Sequence, residues 1–356
     1  MRIAYIINSV EGGGAALPVP SIVEVLRRAG AEVRLFALTC RDGRALPAMA
    51  NVGLETIVRG GGEKDHGAAL SWLDRQIADW QPTHLWTSLT RATLLGQIAG
   101  FKRRVPVVSW QHAAYLKPAN RRLLRATQRL SKLWIGDSDR VTQLSADRLG
   151  IGRDRLVTWP IFRADPDAPP ARIWQPGEPV RIGTLGRLHP VKGYDVLIAA
   201  LAQLKAQDIP YEVIIGGDGN EREALEAAAR SAGVNNIRMA GYVGNPKAFL
   251  ADLHLYVQPS RSEGFCVAAH EAMQAGLPVI ASAVGEMPNS IVEGQTGWTA
   301  FPGDVDALAK ALGTALSRPD RLAPMGMVAR TRVLDRFGPE SFEAIGRSIV
   351  ERMERF

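Results

Sequence analysis

Cysteine is scarce in this sequence: Cys40 and Cys266 are the only two in 356 residues. That excludes a disulfide-stapled scaffold, and neither sits at metal-ligand spacing. No apolar run approaches the ~20 residues needed to span a bilayer. There is no low-complexity tract, and with 46% hydrophobic and 22% charged residues the chain is not intrinsically disordered. The first apolar run is not followed by Gly-x-Gly-x-x-Gly and no acidic residue ends the second, which disfavours a dinucleotide site. Acidic residues are absent between Asp79 and Asp137, a stretch that holds ten Lys and Arg. The net charge of +7 is therefore lopsided: residues 1–170 carry 24 Lys and Arg against 15 Asp and Glu. The N-terminal Met1-Arg-Ile-Ala-Tyr-Ile-Ile-Asn8 enters a strand-like pattern at once, so no signal peptide is expected and a cytosolic location is.

A chain of this length suggests two domains. Short apolar runs alternate with helical patterns throughout, the signature of βα units and parallel sheets. The spacing predicts strands at 2–8, 32–37, 83–87, 105–110 and 132–136, with helices such as 20–28 and 67–80 between them. A Pro-rich polar run from Arg163 to Ala171 reads as a linker. Beyond it the pattern restarts at Pro179, with further strands expected at 211–215, 236–240, 253–257 and 278–281. Each half opens with an apolar strand feeding a glycine-containing loop. The expected architecture is α/β: two Rossmann-like doubly wound domains, 1–165 and 166–338, facing across a cleft, with ligands outside the carboxyl ends of the strands. The amphipathic segment 339–356, with Phe342, Ile345, Ile349 and Met353 on one face, is expected to pack back on the first domain.

The strongest local signal is Pro259-Ser-Arg-Ser-Glu-Gly-Phe-Cys-Val-Ala-Ala-His-Glu-Ala-Met-Gln-Ala-Gly-Leu-Pro-Val279. Glu263 and Gly264 lie in a loop after a strand, and a helix starting near Phe265–Val267 offers free backbone N–H groups to a phosphate or hydroxyl. Glu263 just before that helix and Glu271 within it can accept hydrogen bonds from vicinal hydroxyls. Glu263 can equally cap the helix and Glu271 be a solvated charge, but Glu271 stands among Ala268, Ala269, Ala272 and Ala275, and a packed carboxylate needs a partner. Gly186-Arg-Leu-His-Pro-Val-Lys-Gly193 places Arg187 and Lys192 five residues apart, a fork and a point charge for a diphosphate or a plain basic loop. Gly12-Gly13-Gly14 either turns the chain tightly or lets backbone N–H groups approach an anion. His112 ends a predicted strand, as does Ser88. Gly217-Asp-Gly-Asn220 makes a good turn and helix cap.

The Glu-x7-Glu arrangement, with Gly-Phe after the first Glu and Glu-Ala-Met-Gln-Ala-Gly-Leu-Pro-Val around the second, resembles the retaining glycosyltransferases of family 4, which have the two-domain GT-B fold. The resemblance covers essentially the whole chain, most strongly from Arg181 to Gly297. It implies that Glu263 holds donor-sugar hydroxyls, that Glu271 holds the nucleotide ribose, and that Gly264, Phe265, Cys266 and Val267 contact sugar and phosphate. It also implies that Arg187 and Lys192 offset charge on the leaving nucleoside diphosphate. By the same resemblance Gly13 and Gly14 cover the phosphates, Gly217 lies under the base, Tyr242 and Val243 meet the base edge, and His112 sits near the reaction centre. The continuation Gly14-Ala-Ala-Leu-Pro-Val-Pro20 departs from the more polar one usual there. Asp137-Ser-Asp139 spells a triplet that holds a metal in another glycosyltransferase fold. Here it reads as a strand end with a helix cap, and neither metal nor cofactor is expected.

The run Lys117–Trp134 reads as one helix, with Leu123, Leu124, Ala126 and Leu130 apolar and Arg121, Arg122, Arg125, Arg129 and Lys132 covering the rest. With Lys102, Arg103 and Arg104 it can face solvent or anionic lipid. Few aromatics beyond Tyr115 and Trp134 lie in it and no nucleic-acid motif is present, so nucleic acid is not an expected partner. The expected activity is retaining transfer of a hexosyl unit from a nucleotide-diphospho-sugar, UDP-linked by preference and GDP-linked as the alternative. The acceptor is expected to be a glycan or lipid-linked molecule at the cytosolic membrane face. The rivals are a nucleotide-sugar epimerase or hydrolase of the same fold and a non-catalytic sugar-binding protein.

Overall fold

The computed structural model describes residues 1–112, 116–204 and 210–356, so Tyr115 lies outside the described residues. Two compact units emerge: Met1–Arg163 with Pro339–Phe356, and Ala164–Gly338. In the first, apolar runs form β1 (Arg2–Ser9), β2 (Glu32–Thr39), β3 (Thr56–Val58), β4 (His84–Ser88), β5 (Val107–Gln111), β6 (Leu133–Gly136) and β7 (Leu156–Thr158), with β4, β5 and β6 buried on both faces and the edge strands β3 and β7 half-buried. They pair in parallel in the order β3-β2-β1-β4-β5-β6-β7, with Ile6 of β1 opposite Phe36 of β2 and Thr87 of β4. The order reverses between β1 and β4, the place where a doubly wound sheet opens a ligand crevice.

The second unit repeats the plan with β8 (Val180–Leu185), β9 (Tyr211–Gly216), β10 (Ile237–Gly241), β11 (Leu255–Gln258), β12 (Val279–Ser282) and β13 (Gly297–Ala300). The order is β10-β9-β8-β11-β12-β13, so the reversal falls between β8 and β11. Strands β3, β7 and β13 are not among the expected strands; β3 and β7 have only three residues each, too few for periodicity to separate a strand from a loop.

Two expectations are corrected. The helix expected over Lys117–Trp134 spans only Pro118–Thr127, and Trp134 lies in β6. The Trp134 side chain joins the buried cluster of Leu124, Leu149 and Ile151, and its indole N–H donates to the Gln128 carbonyl at 3.0 Å. Of the two overlapping expectations, the strand over 132–136 is the one observed at Trp134, where pairing with β5 and this packing win over the helical pattern. The Pro-rich run after Arg163 is also more than a linker, since it is bonded along its length to the second unit. Asp165 N–H donates to Gln274 Oε1 at 2.6 Å, Ala171 N–H to the Ala275 carbonyl at 2.6 Å, and Arg330 to the Pro166 and Ala168 carbonyls.

The C-terminal helix, Pro339–Met353, belongs to the first unit. Its Gly346 lies so close to Val25 and Trp159 that an added Cβ would come within 2.6 Å of both side chains. Phe342 contacts Trp159 with ring centroids 5.0 Å apart, Trp159 stacks on Trp110 at 5.1 Å, and Trp110 stacks on His112 at 5.5 Å. A continuous aromatic column thus supports the loop end of β5 from beneath, each pair adding about 0.5–1.5 kcal/mol beyond its buried area.

Candidate functional site

In the second unit the loops following β8, β9 and β11 are bonded to one another backbone to backbone. Gly186 N–H donates to the Gly216 carbonyl at 2.9 Å, Leu188 N–H to Asp218 at 2.9 Å, and Arg261 N–H to Val191 at 2.8 Å. Glycine permits two of these approaches. Gly217 has φ 150° with the Gly186 carbonyl oxygen 1.9 Å from where a Cβ would stand, and Gly193 has φ 67° with the Pro259 oxygen at 2.0 Å. Any side chain there would push the loops apart. Arg261 adds a bidentate pair to Asp195 at 2.6 and 2.7 Å.

This clamp delivers Lys192 to Glu263, with Nζ donating to Oε1 at 2.7 Å. The same carboxylate oxygen accepts from Ser260 Oγ at 2.7 Å and Gln258 Nε2 at 3.3 Å. Glu263 is thus held by a cation, a hydroxyl and an amide and does not cap the following helix, Val267–Gln274, whose N-terminus has no side-chain cap. The first N–H groups of a helix have no partner within the helix and carry its positive dipole end. Burial works against the Lys192 charge, yet the Glu263 carboxylate outweighs it and holds the lysine above its ordinary pKa. Arg187 is exposed, makes no ion pair or hydrogen bond among the described residues, and is near enough for its charge to oppose that of Lys192. A lysine, a free guanidinium and an uncapped helix start around one carboxylate suit an anion flanked by hydroxyls.

Gly264 lies in the loop and Phe265 and Cys266 are buried behind it, Cys266 in the left-handed region at φ 72°. Burial, with Glu263 adding, pushes the Cys266 thiol well above its ordinary pKa, so it stays protonated. Val267 opens the helix and Glu271 is its fifth residue, about one turn in. The Glu271 carboxylate has no hydrogen-bond partner among the described residues. Burial raises its pKa to about 7, opposed by the Lys247 charge. It borders a small pocket lined also by Lys247, Leu250, Gln274, Ala168 and Pro169, so the Pro-rich run forms one wall. Tyr242 is half exposed after β10, and the Val243 side chain would lie 2.7 Å from a Cβ on Gly216, which packs this loop against the end of β9.

In the first unit, Gly12, Gly13 and Gly14 follow β1 without entering the left-handed region, and Gly12 N–H donates to Asp42 Oδ1 at 3.0 Å. His112, Ser88 and Asp137 end adjacent strands β5, β4 and β6. His112 Nε2 lies 2.7 Å from Ser88 Oγ, and Nδ1 lies 3.6 Å from Asp137 Oδ2. Ser138 caps the helix Asp139–Leu149, accepting from Val141 N–H at 3.1 Å. Asp137 is therefore buried while Asp139 is exposed on the first turn. Among the described residues no cluster of His, Cys, Asp or Glu could hold a metal ion. Gln258, Ser260, Lys247 and Asp137 carry this geometry and were not assigned site roles from sequence. Ser260 and Gln258 do precede Glu263 by three and five residues in the motif itself.

The two doubly wound sheets are those of the GT-B fold. Anabaena HepE, solved with UDP-glucose, superposes with TM-score 0.85 at 20% identity over the whole of both chains, and a sucrose-phosphate synthase from Thermosynechococcus elongatus does so with TM-score 0.81 at 19%. The family model for glycosyl transferases group 1 matches residues 171–332 and that for glycosyltransferase family 4 matches residues 12–162. The chain belongs to this family of group 1, family 4 glycosyltransferases. It is 32% identical over 200 residues to the GDP-mannose-dependent alpha-(1-6)-phosphatidylinositol monomannoside mannosyltransferase of Mycolicibacterium smegmatis, covering 52% of this chain and 50% of that one. It is 31% identical over 282 residues to the D-inositol 3-phosphate glycosyltransferase of Nocardia farcinica, covering 69% and 60%. The chain spans about half the length of the first of these relatives.

Proposed function

We propose that the protein is a retaining, metal-independent glycosyltransferase that moves a hexosyl unit from a nucleotide-diphospho-sugar to a glycan or lipid-linked acceptor at the cytosolic membrane face. The observation that carries the reading is the Lys192–Glu263 pair beside the unpaired Arg187 and the uncapped helix. In this reading Lys192, Arg187 and the helix N–H groups take the diphosphate, so that charge on the leaving group is offset by fixed cations. Glu263 turns its second carboxylate oxygen to sugar hydroxyls. Glu271 accepts from the ribose, whose hydroxyls supply the partner its carboxylate lacks. Relatives and structural neighbours include a GDP-mannose-dependent enzyme and a UDP-glucose complex, which supports a nucleotide-sugar donor of either base. A thermal-shift screen against UDP, GDP, ADP and their sugars in EDTA tests it. One nucleotide is expected to raise the melting temperature, by an amount equivalent to about 2.7 kcal/mol at a hundredfold excess over Kd. A shift that appears only when a divalent metal replaces EDTA contradicts metal independence, and donor breakdown without any acceptor favours the hydrolase reading.

The membrane part of the proposal rests on the helices Thr90–Arg103 and Pro118–Thr127. No helix among the described residues is long and apolar enough to cross a membrane. Ile98, Phe101 and Leu123 are nevertheless exposed, and Arg121, Arg122, Arg125 and Arg129 are exposed without ion pairs among the described residues. Lys102 and Arg103 are already taken by Asp74, with bonds of 2.7–2.8 Å, and add less. Each free arginine near anionic lipid contributes about 1 kcal/mol. The protein is expected to float with phosphatidylserine vesicles at low salt and not with neutral ones, and to lose flotation when the four arginines become glutamates. Equal flotation with both vesicle types removes the electrostatic argument.

A further inference from the structure

Ser88, His112 and Asp137 lie 24 and 25 residues apart in sequence, and the parallel order β4-β5-β6 brings their side chains into one row at the carboxyl ends of three adjacent strands. Ser88 is fully buried, Asp137 is nearly so, and the His112 side chain is only 8% exposed, on top of Trp110. Buried imidazole nitrogens require partners. Nε2 has Ser88. Nδ1 has no hydrogen bond to a described residue, and the carboxylate at 3.6 Å is the acceptor set beside it, an ion-pair distance that a few tenths of an ångström would convert to a hydrogen bond.

The backbone supplies an independent observation. Leu89, between Ser88 and the helix Thr90–Arg103, has φ 75° and ψ 156°, a region that essentially only glycine occupies, at a cost of about 1–3 kcal/mol. Strain of this kind persists only where the surroundings impose it. Here the strand–turn–helix corner ties the Leu89 N–H to the Trp110 carbonyl at 3.4 Å, and the Ala92 N–H to Asn8 Oδ1 at 2.8 Å. The corner delivers Ser88 Oγ to the imidazole.

We propose that Asp137 and Ser88 are positioning residues for His112: Asp137 accepts from Nδ1–H and so fixes the tautomer, Nε2 accepts from the Ser88 hydroxyl, and the ring is locked in one orientation. The inference rests on the transferase reading for its catalytic consequence, though not for its geometry. With both nitrogens engaged, the imidazole acts through its fixed position and not as a free base. Rotation of the ring would displace the chain at 112, and misplacement of a positioning group by about 1 Å costs on the order of a hundredfold in rate.

The test is the 15N spectrum of His112 in the intact protein, assigned by its loss in His112→Gln, alongside transfer kinetics. Wild type is expected to show the Nδ1–H tautomer. Asp137→Asn, whose amide can donate to Nδ1, is expected to switch the ring to Nε2–H and to lower kcat about a hundredfold with KM for the donor little changed. Ser88→Ala is expected to keep the Nδ1–H form and broaden the signal as the ring gains freedom, and it serves if Asp137→Asn fails to fold. An Nε2–H tautomer in wild type overturns the proposal, as does an Asp137→Asn protein with wild-type tautomer and turnover. If wild type shows no transfer but the spectra behave as stated, the functional reading fails and the positioning inference stands.

Discussion

Lys192→Ala is expected to lower transfer by about a thousandfold and to weaken nucleoside diphosphate binding, whereas Glu263→Ala abolishes transfer with diphosphate binding retained or tightened. The asymmetry follows from the pair itself. Lys192 Nζ spends its charge on Glu263 at 2.7 Å in the free protein. Removing the lysine deletes a preorganised cation from the leaving group, an effect on the scale of losing an oxyanion donor. Glu263 then still has Ser260 and Gln258, so the stability loss should be about 1–3 kcal/mol and the fold should survive. Removing the carboxylate instead leaves Lys192 beside the like-charged Arg187, a pair that a diphosphate relieves, while the sugar loses its acceptor. Isothermal titration with UDP or GDP and a steady-state assay on the same preparations separate the two effects. Wild-type turnover in either variant would falsify the site. Equal loss of nucleotide affinity in both would remove the division of labour between them.

Glu271→Gln is expected to stabilise the free protein while damaging nucleotide binding. Burial raises the Glu271 pKa to about 7, above the ordinary carboxylate value. A group with a raised folded-state pKa favours the fold below its unfolded value and loses that advantage as pH climbs through the folded one. Wild type should therefore lose stability between about pH 4.5 and pH 7, by about 2 kcal/mol once partial exposure is discounted. The glutamine variant lacks this loss, so at pH 8 its melting temperature should be higher by roughly 4–8 °C and at pH 4.5 the two should converge. Ligand affinity runs the other way. Ribose hydroxyls favour the ionised carboxylate, so nucleotide affinity of wild type should rise about tenfold from pH 6 to pH 8, and that of the variant should stay flat. A variant less stable than wild type at pH 8, or a pH-independent wild-type affinity, would show that a residue other than Glu271 meets the ribose.

Both predictions concern residues legible in the sequence because each sits inside a short contiguous motif. Lys192 and Glu263 announce themselves by charge at the ends of apolar runs, and local rules of strand, loop and helix start are enough to place them near a crevice. What surrounds them was not legible. Gln258 and Ser260 look like ordinary turn residues until their side chains are seen to converge on one oxygen of Glu263. Asp137 was read as part of a helix-capping triplet. Ser138 does cap, but Asp137 faces His112, a partner 25 residues away that only the pairing of β5 with β6 brings near. The Pro-rich run from Arg163 looked like a flexible connector because composition reports backbone preference and not where the carbonyls go. The carbonyls of Pro166 and Ala168 go to Arg330, which makes the run a wall beside Glu271.

By itself, then, the sequence determined the alternation of strand and helix, the two doubly wound sheets and the motif residues, because these depend on periodicity and on neighbours within a few positions. Tertiary structure alone decided which charges are paired and which are free, with Lys102 and Arg103 taken by Asp74 while Arg187 stays open. It also decided where the helix from Pro118 stops and that three strand ends share one imidazole. Those outcomes depend on burial and on contacts between residues distant in the chain. There the cost of an unpartnered polar group, and not local propensity, selects the arrangement.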